Sequence, residues 1–356
     1  MNPIDPSSSI SEEPRTRAGL YPAPQWRAVD GAPSLVFPML RVHFGAMLCG
    51  LMCLLLSPAA SAAAIEGCGP TIEQTTVNGI DWRTLLWGKG KGEPVLLLHG
   101  FPQDADVWRS VGAQLAEQGY RVIAFDQRGS SPETLSGSPS DYNFRIFVAD
   151  ALAIADAHGA RRFHVIGFGW GGAMAWMLAA TYPDRVISMT TLRYPHPAAF
   201  VAGMASDPDQ RASWEEVRKQ IDPQNIERRA QELLANDAAG LRAFLGKSGL
   251  PAPYIDSYVA RLSKPGVLLG GLSWGTALVP DEFAVVPPVT IPVLYLWSKG
   301  PAVSESTVVA SSQYAKGRYE VIEIPGIGHF MLETDANAVI GPIRNFLSSL
   351  PAERHK

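Results

Sequence analysis

The chain has 356 residues, of which 46% are hydrophobic and 18% charged, a composition typical of globular proteins. Lys and Arg number 30 against 34 Asp and Glu, so the formal net charge of −4 and the absence of a basic stripe argue against a nucleic-acid partner. The length accommodates one large domain with an insertion, or two domains.

The N-terminal segment has the composition of a leader. Residues 1–38 are rich in Pro, Ser and charge, and we expect them to be disordered or to precede the true start of the chain. Residues 39–64 begin with Met39, carry Arg41 ahead of an apolar stretch, and end in small residues that fit a cleavage site. This pattern predicts a signal peptide and an exported, periplasmic or secreted protein.

Two alternatives to simple cleavage remain. The first is a retained membrane anchor, although the apolar stretch is short for about 30 Å of hydrocarbon. The second is a lipoprotein modified at Cys68, although Glu66 fits that pattern poorly. After cleavage we expect no stable membrane span. Cys68 would then be the one cysteine left, which excludes an internal disulfide.

The remaining sequence alternates strand-like and helix-like segments, the pattern of a mostly parallel sheet flanked by helices. Asn78-Gly79 is a hairpin signal inside the first alternating stretch, 75–90. Buried strands are expected within 93–102, 120–131, 161–183, 184–197, 291–300 and 318–333, and helices over 107–119, 143–159 and 336–350.

The alternation of strand-like and helix-like segments is interrupted in the middle of the chain. From 197 to 285 no strand-like run occurs, and the segments suit helices. We therefore predict a helical cap over 197–285, inserted between a first core half at 65–196 and a second at 286–356. Ligands bind beyond the carboxyl ends of parallel strands, so the cap would roof the site.

A crowded glycine turn lies between a strand and a helix in VIGFGWGGAMAW, residues 165–176. Hydrolases built on an α/β sheet place their nucleophile in the middle of such a turn. The central residue here is Gly169, which has no side chain and cannot attack a substrate.

Five segments in this order resemble the α/β-hydrolase fold, in the branch of epoxide hydrolases and haloalkane dehalogenases. They are HGFP, FDQRGSSP, GFGWGGAMAW, YPHPAAF and GIGHF, and the resemblance covers about residues 75–350. It implies a mostly parallel sheet with a helical cap. It also implies an elbow Asp that attacks the substrate, a His that activates water, a carboxylate that orients this His, and two cap tyrosines.

The chain departs from that implied site at several separate places. Gly169 stands at the nucleophile position, and Phe168 stands where a His usually precedes it. Gly275 occupies the second cap-tyrosine position. Gly300 or Pro301 occupies the position of the orienting acid. A covalent ester cannot form on glycine.

What remains is His329 and a pair of backbone donors. The N–H groups of Phe101 and Trp170 are expected to form an oxyanion hole, and His329 can exchange a proton near neutral pH. Glu305 and Glu333 are the candidate acids. We therefore predict a non-covalent hydrolase or a proton-transfer catalyst, an isomerase, lyase or cyclase, for a small apolar substrate, with no cofactor and no metal.

The main alternative is a degenerate hydrolase that binds a hydrophobic ligand or a partner, in which Gly169 relaxes a strained turn. A second alternative is an altered form of an active parent enzyme. A third is dinucleotide binding, because Gly167, Gly169 and Gly172 spell G-x-G-x-x-G. That motif needs an acidic residue about 20 positions on, and Arg193 stands near there instead.

Four further polar residues near strand ends are expected to be structural. His99 would brace the oxyanion loop, and His196 would belong to the turn at the cap entrance. Asp126 and Arg128 would fix the conformation of their own loop.

Overall fold

The computed structural model describes residues 69–222, 224–300 and 302–351. The N-terminal expectations for 1–38, for the signal peptide at 39–64 and for Cys68 lie outside these described residues, as does Pro301. Within the described ranges, no helix combines the length and the hydropathy that a bilayer crossing requires.

The described residues contain one sheet of eight strands, in the order β1-β2-β4-β3-β5-β6-β7-β8. β1 pairs antiparallel with β2, and β2 pairs antiparallel with β4. The remaining pairs are parallel. The strands are β1 Thr71–Val77, β2 Ile80–Trp87, β3 Pro94–Leu98, β4 Arg121–Phe125, β5 Phe163–Phe168, β6 Val186–Leu192, β7 Val293–Trp297 and β8 Tyr319–Glu323.

The hairpin signal lies where the sequence predicts it. Asn78 and Gly79 join β1 to β2, and both have positive φ, at 54° and 74°. A two-residue hairpin turn of type I′ requires this conformation at both central residues, which explains the Asn-Gly pair.

Helices lie along both faces of the sheet and in one long insertion. They are α1 Arg109–Glu117, α2 Phe144–Ala157, α3 Trp170–Thr181, α4 Pro197–Ser206, α5 Pro208–Ile221, α6 Ile226–Lys247, α7 Ala252–Leu262, α8 Val267–Ser273, α9 Pro280–Ala284, α10 Glu305–Ala310 and α11 Met331–Ser348. Between β6 and β7 the described residues form helices and turns without a strand, and α6 leaves helical conformation at 235–238.

The parallel strands form because their side chains are buried on both faces. β3 and β5 read as continuous apolar runs rather than alternating ones, as is typical of strands covered on both sides. One face packs against α1 and α11, and the other packs against α2 and α3. The helices of the insertion have a hydrophobic cluster of their own.

The turn between β5 and α3 is held against β3 by close backbone approach. A Cβ at Gly171 would lie 2.1 Å from the Leu98 carbonyl oxygen and 2.6 Å from that of His99. A Cβ at Gly167 would lie 2.1 Å from the Gly171 oxygen. Glycine is therefore required at both positions so that the strand end, the turn and the helix pack together.

Replacement of Gly171 by alanine tests this packing. Because backbone oxygens cannot move aside like the end of a flexible side chain, we expect Gly171→Ala to lower the free energy of unfolding by about 2–3 kcal/mol. The matched control is Gly246→Ala, whose new Cβ would have the Ile255 Cδ1 atom at 4.0 Å as its nearest contact. This exposed helical change should stabilise by about 0.5–1 kcal/mol. Urea unfolding measures both, and a Gly171→Ala protein as stable as the parent would contradict the packing.

Candidate functional site

Gly169 is the single residue between β5 and α3, and it lies at an opening in an otherwise buried segment. Its backbone has φ 54° and ψ −121°, a conformation that is strained for residues with a side chain. Gly169 and Trp170 are half-buried, whereas the residues of 163–168 before them and 171–176 after them are buried. A Cβ added to Gly169 would have the Gly100 Cα atom, at 3.9 Å, as its nearest contact. The space that a side chain would occupy is therefore open.

Two backbone donors adjoin this space. The loop after β3 packs on the turn, since a Cβ at Gly100 would lie 2.8 Å from the Phe168 oxygen. Among the described residues, neither the N–H of Phe101 nor that of Trp170 donates to an acceptor within the protein. Trp170 is also the first residue of α3, where the helix dipole favours negative charge. Both groups are thus available to an oxygen of a ligand.

His329 lies in the loop between β8 and α11, against the same turn. Its ring centroid is 5.4 Å from that of Phe168 and 5.1 Å from that of Phe330. Burial of the ring, reinforced by the positive charge of Arg193, lowers the pKa of His329 to about 3, although the Phe101 backbone favours the charged form. Part of the residue stays exposed. The imidazole is therefore neutral at pH 7.

Arg193 joins the end of β7 to the histidine loop. It directly follows β6, and its N–H donates to the Leu296 oxygen at 2.8 Å. Its Nη1 donates to the carbonyl oxygens of Ser298 at 3.2 Å and Gly328 at 3.3 Å, and also to the Ser298 hydroxyl. The side chain is buried, and burial lowers the pKa of Arg193.

The guanidinium of Arg193 lies beside Gly300, one of the two positions at which the family resemblance implies the orienting acid. A Cβ at Gly300 would lie 3.1 Å from the Arg193 Nη2 atom. A positive charge thus stands beside a position where the family resemblance implies a carboxylate. In the sequence, Arg193 stands out only because it lies near the position at which dinucleotide binding needs an acidic residue. Its position at the carboxyl end of a buried strand beside β7 was the signal that could have revealed this role.

The structure places the two candidate acids elsewhere. Glu305 begins α10 and is exposed, with its Oε2 atom 3.7 Å from the Lys299 ammonium. Glu333 lies in α11, where its Oε1 atom accepts from the Tyr258 hydroxyl at 2.5 Å and from Gln103 at 3.2 Å. Burial raises the pKa of Glu333. Among the described residues, neither carboxylate hydrogen-bonds to His329.

Glu333 lines a separate charged cleft of about 890 Å³ beneath α7. The ion pair between Arg261 and Asp104, at 2.8 Å, belongs to its wall. Asp126 also lines it, and burial together with the nearby Asp104 charge raises the pKa of Asp126 to about 6. Neither Gly169 nor His329 lines this cleft, so it is distinct from the elbow.

An aromatic wall adjoins the elbow instead. The Trp170 ring lies 5.8 Å from Phe144, 6.0 Å from Tyr194 and 6.4 Å from Trp214. Phe200 of α4 packs on Trp214 of α5 at 5.3 Å. The Tyr194 hydroxyl is buried and has no hydrogen-bond partner among the described residues. The insertion therefore contributes apolar surface beside the elbow turn.

The remaining histidines have structural contacts. His99 is fully buried, its Nε2 accepts from the Gln127 N–H at 3.0 Å, and burial lowers its pKa to about 4. The His196 side chain caps α4 by accepting from the Ala198 N–H, and its ring stacks on Tyr314 with centroids 4.3 Å apart.

The loop after β4 is fixed by ion pairs. Arg128 donates to both carboxylate oxygens of Asp150, at 2.8 and 2.9 Å. Asp126 accepts from the Ala105 N–H at 3.1 Å and pairs with Arg83 at 3.2 Å.

The glycines of the G-x-G-x-x-G string have packing roles that need no nucleotide. A Cβ at Gly172 would lie 2.6 Å from the Thr191 hydroxyl and 2.9 Å from the Tyr194 Cβ atom.

Within the described part of the chain, no three His, Cys, Asp or Glu side chains are grouped as metal ligands would be.

Comparisons with known proteins agree with this architecture. The alpha/beta hydrolase fold family matches residues 93–336. Epoxide hydrolase 4 of Mus musculus is 28% identical over 276 residues, which are 72% of this chain and 74% of that protein. Epoxide hydrolase A of Mycobacterium tuberculosis is 25% identical over 322 residues, which are 79% of this chain and 98% of that protein.

Solved structures give the same result. Epoxide hydrolase A from Mycobacterium thermoresistibile aligns with a TM-score of 0.62 at 25% identity, over 80% of this chain and 100% of that one. An epoxide hydrolase of Bacillus megaterium in complex with an inhibitor aligns with a TM-score of 0.67 over 78% and 100%, and at 22% identity it supports the fold alone. The chain therefore belongs to the α/β-hydrolase fold family, in its epoxide-hydrolase-like branch.

Proposed function

We propose that this chain binds a small apolar ligand at the elbow and forms no covalent ester with it. Gly169 offers no attacking atom, so the two-step route through an ester is closed at its first step. The observation that supports the proposal most strongly is the approach of the Arg193 guanidinium to Gly300, where the family resemblance implies the orienting acid at residue 300 or 301.

A cation at this place opposes general-base catalysis by His329. An imidazole that takes up a proton becomes positive, and the nearby Arg193 charge disfavours that protonated form. An orienting carboxylate would stabilise the imidazolium, and its loss alone costs a triad about four orders of magnitude in rate. Arg193 replaces that stabilisation with repulsion.

The ligand that fits best is apolar and compact. The aromatic wall of Trp170, Tyr194 and Trp214 lies beside the turn, and aromatic surfaces of this kind favour hydrophobic molecules with few polar groups. The charged cleft beneath α7 contains Arg and Asp side chains that pair with one another, Arg83 with Asp106 and Arg261 with Asp104.

A second candidate function is proton transfer without a covalent step, in an isomerase, lyase or cyclase. One observation favours it: His329 is neutral at pH 7 and lies near two N–H groups without protein acceptors. Such turnover would depend on the imidazole, whereas ligand binding to the aromatic wall would not. The His329→Ala variant therefore separates the two functions.

The electrostatic effect of Arg193 on the histidine is directly measurable. In Arg193→Gln we expect the pKa of His329 to rise from about 3, because the positive charge is removed. It should stay below the ordinary value of 6.5, because burial remains the larger cause. NMR titration of ring-labelled histidine in the folded protein measures this shift.

The same sample contains its controls. The pKa values of His99 and His196, each about 4, depend on burial and on other neighbours, so their titrations should not move. Arg193→Lys keeps the charge and should leave His329 close to its parent value. An unchanged His329 pKa in Arg193→Gln would refute the proposed repulsion.

Binding without hydrolysis is tested with an epoxide and a neutral apolar probe. With styrene oxide we expect no diol above the uncatalysed rate and no mass increase of the intact protein. We expect 3-phenylpropan-1-ol to raise the melting temperature. Trp170→Ala should weaken its binding at least about fivefold, because a stacked aromatic contact contributes about 1 kcal/mol beyond its buried area.

Tyr254→Ala is the matched control, since Tyr254 lines the charged cleft and not the elbow. Tyr254→Ala should leave the affinity for 3-phenylpropan-1-ol unchanged. A loss of affinity in this variant alone would show that the probe binds in the charged cleft. Any turnover that disappears in His329→Ala would support the second candidate, and adduct formation on the parent protein would contradict both.

A further inference from the structure

The elbow has lost negative charge at two positions and gained a positive charge beside one of them. Gly169 has no side chain where the family resemblance implies one carboxylate, and Gly300 or Pro301 stands where it implies the other. Arg193 adds a cation, and His329 is neutral. The nearest candidate acids, Glu305 and Glu333, are paired elsewhere, with Lys299 and with Tyr258. The electrostatic field at this turn therefore favours an anion.

The open space above Gly169 has donors suited to one oxygen of such an anion. A carboxylate placed there would lie at the first N–H of α3, on Trp170, and beside Gly100, which directly precedes Phe101. Neither the Trp170 N–H nor the Phe101 N–H has an acceptor within the described residues. Hydrogen bonds from backbone N–H groups to an ionised acceptor are about twice as strong as those between neutral groups. Apart from its chain neighbours, the nearest atom to a Cβ at Gly169 is the Gly100 Cα at 3.9 Å, an ordinary van der Waals distance.

The surroundings also define the rest of the ligand. The wall formed by Trp170, Tyr194, Trp214 and Phe200 is aromatic and has one buried polar atom without a partner, the Tyr194 hydroxyl. A molecule with a carboxylate at one end and an aryl or branched alkyl body would satisfy the N–H donors and cover the aromatic wall.

We infer that the ligand of this protein is an apolar monocarboxylate whose carboxylate occupies the space above Gly169 that an elbow side chain would otherwise fill. This inference rests on the proposed ligand-binding function and specifies its ligand class. Arg193 acts here as a positioning residue: its charge favours the anion through the histidine loop, and its hydrogen bonds hold that loop against the turn.

The first test compares probes of one shape and different charge. Calorimetry at pH 7.4 with 3-phenylpropanoate, 3-phenylpropanamide and 3-phenylpropan-1-ol should show the carboxylate binding at least about tenfold more tightly than either neutral probe. Equal affinities would overturn the carboxylate assignment and leave the proposed function standing. Failure of all three probes to bind would overturn both.

The second test places a competitor in the same space. Gly169→Asp supplies a tethered carboxylate at the elbow, and Asp tolerates positive φ better than most side chains. Gly169→Asp should abolish the preference for 3-phenylpropanoate over the two neutral probes. Gly169→Asn, which fills the same space without charge, should also abolish it. Unchanged carboxylate affinity in both variants would show that the anion binds elsewhere. Circular dichroism verifies folding.

The third test separates a charge effect from a packing effect. Arg193→Gln should reduce the affinity ratio of carboxylate to amide several-fold while the amide affinity stays constant, and Arg193→Lys should restore the ratio. Lys264→Gln, a cation of the charged cleft, should change neither affinity. A ratio that falls with Lys264→Gln and not with Arg193→Gln would overturn the inference.

Discussion

The hydrogen bonds of the Arg193 guanidinium are the constraint on which the arrangement of the site depends. They connect the ends of two strands and the histidine loop: the side chain leaves the end of β6, contacts the carbonyl of Ser298 after β7, and reaches the carbonyl of Gly328 beside His329. The cation is buried, and carbonyl dipoles compensate its charge. An interaction of this kind can hold the histidine loop in place without a carboxylate. It also sets the electrostatics of the imidazole, because a neutral ring next to a guanidinium resists protonation.

The glycine turn provides the complementary constraint. Close contacts of Gly167 and Gly171 draw the end of β5 and the start of α3 against β3. Nothing in this packing requires a nucleophile. The backbone geometry of this turn is therefore compatible with glycine at its centre, and the Trp170 N–H lies at the start of α3, where the helix dipole favours negative charge.

Much of the fold could be predicted from sequence because the signals are local. Continuous apolar runs mark β3 and β5, Asn78-Gly79 marks the hairpin, and the absence of strand-like runs marks the helices from Pro197 to Ala284. The glycine turn and the histidine loop were also readable as motifs. The role of Arg193 was not, because its partners Ser298 and Gly328 are 105 and 135 residues away in sequence. The hydrogen bond between Glu333 and Tyr258 could not be predicted either, because Tyr258 belongs to the inserted helices and lies 75 residues away in sequence.

The close approach between Gly300 and Arg193 makes these two positions interdependent. An aspartate introduced at residue 300 would lie beside the Arg193 guanidinium and would form an ion pair with it. Reinstating the nucleophile alone would likewise leave His329 beside a cation. Under the proposed function, hydrolysis through an ester on the elbow would therefore need coordinated substitutions at several sites rather than a single exchange.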